Sequence, residues 1–268
     1  MNHTHFFAID IDGTLLNAQH ELSQRTQTAI RQIRAAGHRI TIATGRMASS
    51  TLPIARQLDL DVPVICMNGS DIVDPQTGDS LHIQPIATDA LARLSARLAD
   101  TEAEFFMLGH RFAVSQTRPY GSYDTIWTKS LVDYLPRSAE PLLKATIACP
   151  SLQLQNELYE ELSQWQAFDM TRSLDGNIYL TAYAITKLSG IQTLCADWGI
   201  PLERVTAFGN AENDLDMLQH VGRGIAMANS DPVILKHIKL TTKSNDEDGV
   251  ACELERFLTE TATVHEPT

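Results

Sequence analysis

The stretch Phe6-Phe7-Ala8-Ile9-Asp10-Ile11-Asp12-Gly13-Thr14 decides the fold. It is a short apolar run that halts at a Gly-Thr turn, the pattern of a strand buried on both faces of a parallel sheet. Leu22 to Ala36 then reads as a helix, with Ala29, Ile30 and Ile33 on one face and Gly37 placed to end it. Arg39 to Ala43 is a second strand rich in β-branched residues. A helix over Ser49 to Leu58 and a strand over Pro63 to Cys66 repeat the unit. Such alternation implies a parallel sheet covered by helices on both faces, with ligands bound beyond the carboxyl ends of its strands.

Near Asp71 the style changes. Asp71 to Ile83, with Asp74-Pro75 and Thr77-Gly78 in its turn, has the form of a hairpin. A helix over Thr88 to Asp100 follows, then strand-like pieces at Glu104 to Leu108, Arg111 to Ser115 and Lys144 to Cys149. A helix over Leu152 to Trp165 precedes a closing hairpin, Phe168 to Arg172 and Asn177 to Thr181. From Thr186 the first style resumes, with a helix over Lys187 to Trp198, a strand over Val205 to Phe208 and a helix over Asp214 to His220. Later elements lie around Ile225, Val233 to His237, Ile238 to Thr241 and Val250 to Leu258, and the tail from Thr259 is expected to fray. The expected fold class is α/β: a doubly wound, Rossmann-like parallel sheet with an inserted α+β cap domain. The core is discontinuous, 1–83 plus 184–268, and the insert is 84–183.

Composition narrows the function. The hydrophobic share is 43% and the charged share 20%, which suits a globular chain and argues against disorder. The formal net charge of −12 disfavours nucleic acid and anionic membranes as partners, since both need a basic face. It also repels a phosphorylated ligand, so a phosphate site here must carry its own local positive field. The opening Met-Asn-His-Thr-His leads straight into the first strand without a basic region or long apolar run, so no secretory signal is expected. The cysteines (Cys66, Cys149, Cys195, Cys252) are scattered without metal or redox spacing, and buried reduced thiols in a cytoplasmic protein are expected.

Asp10 and Asp12, two apart on extended chain, project the same way at the end of the first strand. One can serve as nucleophile or metal ligand while the other works as acid and base, if their environments differ. Alone, the same run also suits a solvated Asp-Gly turn. Thr44-Gly45-Arg46, after the second strand, offers a hydroxyl and backbone N–H groups to a phosphoryl oxygen. Arg46 reads either as a substrate contact or as half of a structural ion pair. Asn210 to Asp214 by itself is a polar helix-capping run.

Together these residues resemble the haloacid dehalogenase superfamily: Asp-x-Asp-Gly-Thr after an apolar strand, Ile-Ala-Thr-Gly-Arg after the next, then Gly209-Asn210-Ala211-Glu212-Asn213-Asp214 before an apolar helix. More narrowly they resemble the Cof-type phosphatases, which carry a large C2-type cap between their second and third motifs. The resemblance implies Asp10 as nucleophile, Asp12 as general acid and base, and Lys187 as the lysine that holds phosphate and nucleophile together. It implies phosphate binding at Ile11, Thr44, Gly45 and Asn213, and Mg²⁺ at Asp10, Asp12, Asn210 and Asp214. Two departures stand out. Ala184-Ile185-Thr186-Lys187-Leu188 replaces the family's Gly-Val-x-Lys-Gly, and Asn210 stands where the family has a metal-binding aspartate, so weaker metal affinity is expected.

The expectation is therefore a magnesium-dependent phosphatase for sugar phosphates or similar small metabolites, pyridoxal phosphate among them, as monomer or homodimer. A phosphosugar mutase and a catalytically weak phosphometabolite-binding regulator are the alternatives. Arg111, Tyr120, Tyr123, Trp127, Arg172 and Tyr179 are candidate cap contacts.

Overall fold

The structure is a computed structural model; it describes residues 4–119, 124–128, 134, 140–173 and 176–263. In chain order the first half runs β1 (Phe6–Ile9), α1 (Gln24–Ala35), β2 (Arg39–Ile42), α2 (Ala48–Gln57), β3 (Val64–Cys66), β4 (Asp71–Val73), β5 (Ser80–Ile83) and α3 (Thr88–Leu98). A second sheet contributes β6 (Glu104–Leu108), β7 (Ala113–Ser115), β8 (Thr125–Trp127), β9 (Lys144–Ala148), α4 (Leu152–Ser163), β10 (Phe168–Arg172) and β11 (Asn177–Ala182). The chain then adds α5 (Lys187–Trp198), β12 (Val205–Gly209), α6 (Leu215–His220), β13 (Arg223–Ala226), α7 (Pro232–His237), β14 (Leu240–Thr241) and α8 (Gly249–Thr263).

The first sheet has the order β14-β13-β12-β1-β2, and each of its pairs is parallel. All four residues of β1 are buried, as its unbroken apolar run requires. Phe7 and Ile9 pack with α1 and α8 on one face, while Phe6 and Ala8 pack with α5, α6 and α7 on the other. Helix α1 starts at Gln24 because Ser23 caps it, its side chain accepting from the Thr26 N–H. The strand order reverses direction at β1, between β12 and β2, and there the carboxyl ends open a crevice.

The second sheet has the order β10-β11-β9-β6-β7-β8. Phe105, Met107, Ala145, Ile147, Ile178 and Leu180 face helices α3 and α4 and form a separate core with Leu91, Leu94 and Leu158. Strict alternation turns the residues between them to the opposite face, including Leu108, Lys144 and Tyr179. Leu108 joins Met47 and Met67 there, where this sheet meets the first one.

Three expectations change. The tail does not fray at Thr259: α8 continues to Thr263, because Phe257 packs edge-on against Phe7 and His38 at 5.0 and 5.1 Å. The strand Thr125–Trp127 carries no alternation that sequence reading picked up. Only Cys66 and Cys195 are buried; Cys149 and Cys252 are half-buried, and all four are unpaired. No described helix is long and apolar enough to cross a membrane.

Candidate active site

Asp10 follows β1 directly and is buried at the crevice. Its N–H donates to the Phe208 carbonyl at 3.1 Å, and the Ile11 carbonyl accepts from Leu15 at 3.0 Å and Leu16 at 3.1 Å, which closes the loop tightly. Gly13, at φ +75°, suits this turn twice over. A Cβ there would strain the backbone and meet the Asn210 side-chain nitrogen at 2.6 Å.

Lys187 is the first residue of α5, whose start is fixed by a reciprocal cap between Thr186 and Ser189. Its Nζ donates to Asp10 Oδ1 and to Asp214 Oδ1, both at 2.6 Å. The second oxygen of Asp214 accepts the backbone N–H groups of Asn210 at 2.9 Å and Ala211 at 3.0 Å. Asp214 therefore joins the lysine to the loop after β12. The glycine that the family has three residues before this lysine is Ala184 here, and it keeps a glycine-like φ of +62°.

Burial, with the Asp214 charge second, pushes the Asp10 carboxyl up to about 7, against the opposing pull of Lys187. For Lys187, burial opposes the charge, yet Asp10 and Asp214 overcome it and hold the ammonium above its usual range.

Arg46 pairs with Asp12, Nε to Oδ2 at 2.7 Å and Nη2 to Oδ1. Of the two readings of Arg46, the ion pair is the one formed. Asp12 is half exposed, unlike Asp10. Thr44 is buried and its hydroxyl accepts the Arg46 N–H at 3.1 Å, while Asn213 donates to Asn68 Oδ1 at 3.0 Å beside Gly45. Asn210 lies against Gly13, its Oδ1 accepting the Thr14 hydroxyl at 2.9 Å. Among the described residues no group of three His, Cys, Asp or Glu side chains could hold a metal.

A cavity of about 320 Å³ brings Asp10, Asp12, Thr44, Gly45 and Asn213 together, with Lys144 and Tyr179 contributed by the second sheet. Lys187, Asn210 and Asp214 are not on its lining. Asn68 lines it too; Asn245 instead donates to the Leu16 carbonyl at 2.8 Å and braces the loop. Of the candidate contacts, Tyr179 reaches the cavity, Arg111 donates to the Gly78 carbonyl at 3.0 Å, and Arg172 donates to Asn156 Oδ1 at 2.8 Å. Trp127 is 57% exposed, while Tyr120 and Tyr123 lie outside the described residues. Lys144 escaped sequence reading, because a single lysine opening a strand carries no signal of its own.

A family profile of haloacid dehalogenase-like hydrolases matches residues 7–254. The chain is similar to the 5-amino-6-(5-phospho-D-ribitylamino)uracil phosphatase YcsE of Bacillus subtilis (strain 168), 27% identical over 244 residues that cover 91% of this chain and 92% of that protein. It is also similar to phosphatase YwpJ of the same organism, 26% identical over 285 residues, covering 94% of this chain and 99% of that one. Among solved structures, a haloacid dehalogenase-like hydrolase from B. subtilis superposes with a TM-score of 0.86 at 22% identity, over 94% of this chain and 99% of that chain.

Proposed function

The chain belongs to the haloacid dehalogenase-like hydrolases, and on that premise we propose that it is a magnesium-dependent phosphatase of small phosphorylated metabolites with Asp10 as its nucleophile. The observation that carries this reading is Asp10 on the lining of a cavity of about 320 Å³, with the Lys187 ammonium 2.6 Å from one of its oxygens. The names of the two curated relatives support the phosphatase chemistry. One of them acts on a phosphorylated polyol bearing a ring, which favours a substrate of sugar-phosphate size. Residues 84–183 serve as the cap that covers the leaving group, and 1–83 with 184–268 as the catalytic core.

In the first half-reaction an Asp10 oxygen attacks phosphorus, and an O–P bond forms as the ester O–P bond breaks. Asp12 supplies the proton that the departing oxygen takes up. In the second half Asp12 accepts a proton from water; the water oxygen bonds to phosphorus, releasing Asp10 and inorganic phosphate. Arg46 orients Asp12 through two of its guanidinium nitrogens, Nε and Nη2. Thr44 and the Gly45 N–H offer donors to the phosphoryl oxygens, with Ile11 and Asn213 beside them. Lys187 holds Asp10 in place, and Asp214, with both oxygens engaged, holds Lys187.

The donors near Asp10 are oxygen atoms, which suits a hard cation. The Asp10 carboxylate, the Asp12 carbonyl and the Asn210 amide would hold Mg²⁺. When bound, Mg²⁺ neutralises phosphoryl oxygens and favours the carboxylate form of Asp10. With an amide at position 210 the set carries one charge fewer, so Asn210→Asp is expected to tighten Mg²⁺ binding roughly tenfold in a calorimetric titration. Unchanged affinity removes Asn210 from the metal set.

The deciding test is hydrolysis of p-nitrophenyl phosphate with Mg²⁺ by wild type and Asp10→Asn. A loss on the order of 10³-fold or more is expected in the variant. Equal residual rates in the two proteins refute the reading.

A further inference from the structure

The proposed reaction leaves the buried Lys144 without a role. Lys144 is 6% exposed, yet its ammonium has no carboxylate partner among the described residues. It donates to the Gly45 carbonyl at 2.8 Å and lies 4.5 Å from the centre of the Tyr179 ring. Isolating an ammonium this way is strongly unfavourable, since a carbonyl and a ring replace only part of its lost hydration. Burial, and the nearby Lys187 charge second, push its pKa down to about 8.

Its place on the strand makes the charge more telling. Along β9, Ala145 and Ile147 turn into the apolar core of the second sheet, so Lys144 turns to the opposite face, across from Leu108. That face meets the crevice, where Lys144 and Leu108 line the same cavity as Asp10. A methionine would fill the position without any charge to desolvate. An unpaired cation held in a cavity of this kind marks a functional group whose counter-charge arrives with a ligand.

Resting on the phosphatase reading above, we propose that Lys144 is a specificity-determining residue that binds an anionic oxygen of the substrate, with the Tyr179 ring as the wall beside it. The anionic oxygen has two sources: the phosphoryl group itself, or an acidic group on the leaving portion of the ester. Lys144 comes from β9 and Lys187 from α5, so the two charges reach the site from different elements.

The test titrates inorganic phosphate calorimetrically into the full chain with Mg²⁺, using wild type, Lys144→Met and Lys144→Arg. Glycerol 3-phosphate and 3-phosphoglycerate, which differ by a carboxylate, are then run as competitors. Lys144→Met is expected to weaken binding about tenfold to a hundredfold, with Lys144→Arg recovering part of it. Equal loss for all three ligands assigns the contact to the phosphoryl group. Loss confined to 3-phosphoglycerate assigns it to the leaving group's carboxylate. Unchanged affinities in a Lys144→Met protein with native circular dichroism overturn the proposal, as does wild type that binds none of the three. Binding without any hydrolysis of the two esters by wild type defeats the phosphatase reading alone and leaves the Lys144 result standing.

Discussion

The start of α5 and the start of β9 in the second sheet each bury one lysine, and the two live under opposite conditions. Lys187 lies between Asp10 and Asp214, 2.6 Å from each, and those carboxylates hold its charge in place against the effect of burial. Lys144 has a carbonyl and an aromatic ring, and burial drives its pKa down to about 8. A buried cation reports its task through its partners. One that is fully matched inside the protein supports structure and positions a neighbour; one that is mismatched is held ready for something from outside.

The sharpest way to break this contrast is to remove each charge in turn. Lys187→Met leaves Asp10 and Asp214 as two buried carboxylates with no cation between them. A stability loss of about 3–5 kcal/mol in urea unfolding is expected; a loss under about 1 kcal/mol means the triad is not structurally coupled. Lys144→Met carries the opposite sign. The unfolded chain keeps the lysine proton up to 10.5, the folded one only up to about 8. The penalty is therefore complete below pH 8 and is relieved as pH rises from about 8 to 10.5. Removing the charge is expected to stabilise the ligand-free protein at pH 7 by up to roughly 3 kcal/mol, with the gain shrinking towards pH 10. Denaturation curves that show no gain, or a gain independent of pH, erase the distinction between the lysines. The smallest effect belongs to Ala184, at φ +62° just before the helix that carries Lys187. Ala184→Gly is expected to raise stability by about 1 kcal/mol through relief of left-handed strain, and an unaltered melting temperature counts against strain at that turn.

The same contrast separates what sequence reading could reach from what it could not. Asp10 with Asp12, Thr44 with Gly45, and Asn213 sit at the ends of strands or in the turns after them, so local pattern placed them at one edge of the sheet before any coordinates. Lys187 was reachable only through the family resemblance and its position between the last hairpin of the insert and the strand before Gly209, even without the flanking glycines. Lys144 was not. Alternation along β9 tells which residues share a face, but not which face looks onto Asp10, because that depends on how two sheets meet. Its acceptor, Gly45, is 99 residues away in the chain. The pairing of Asp12 with Arg46, 34 residues apart, was an open alternative for the same reason. A long-range contact between two ordinary side chains leaves no mark in local pattern.

The central position of β1 also has a consequence for biosynthesis. During synthesis Phe6–Ile9 emerges before the strands it pairs with, and β2 covers one of its edges within some thirty residues. Its other edge pairs with Val205–Phe208, nearly two hundred residues later. At typical translation speeds the interval is roughly 10 to 40 s. Throughout it the nascent chain carries an apolar strand with one open edge, and for most of it an Asp10 that has not yet met Lys187. The Asp10–Lys187 pair thus cannot form until the chain has been made through α5, and the interval before β12 arrives is when β1 is most open to pairing with another chain.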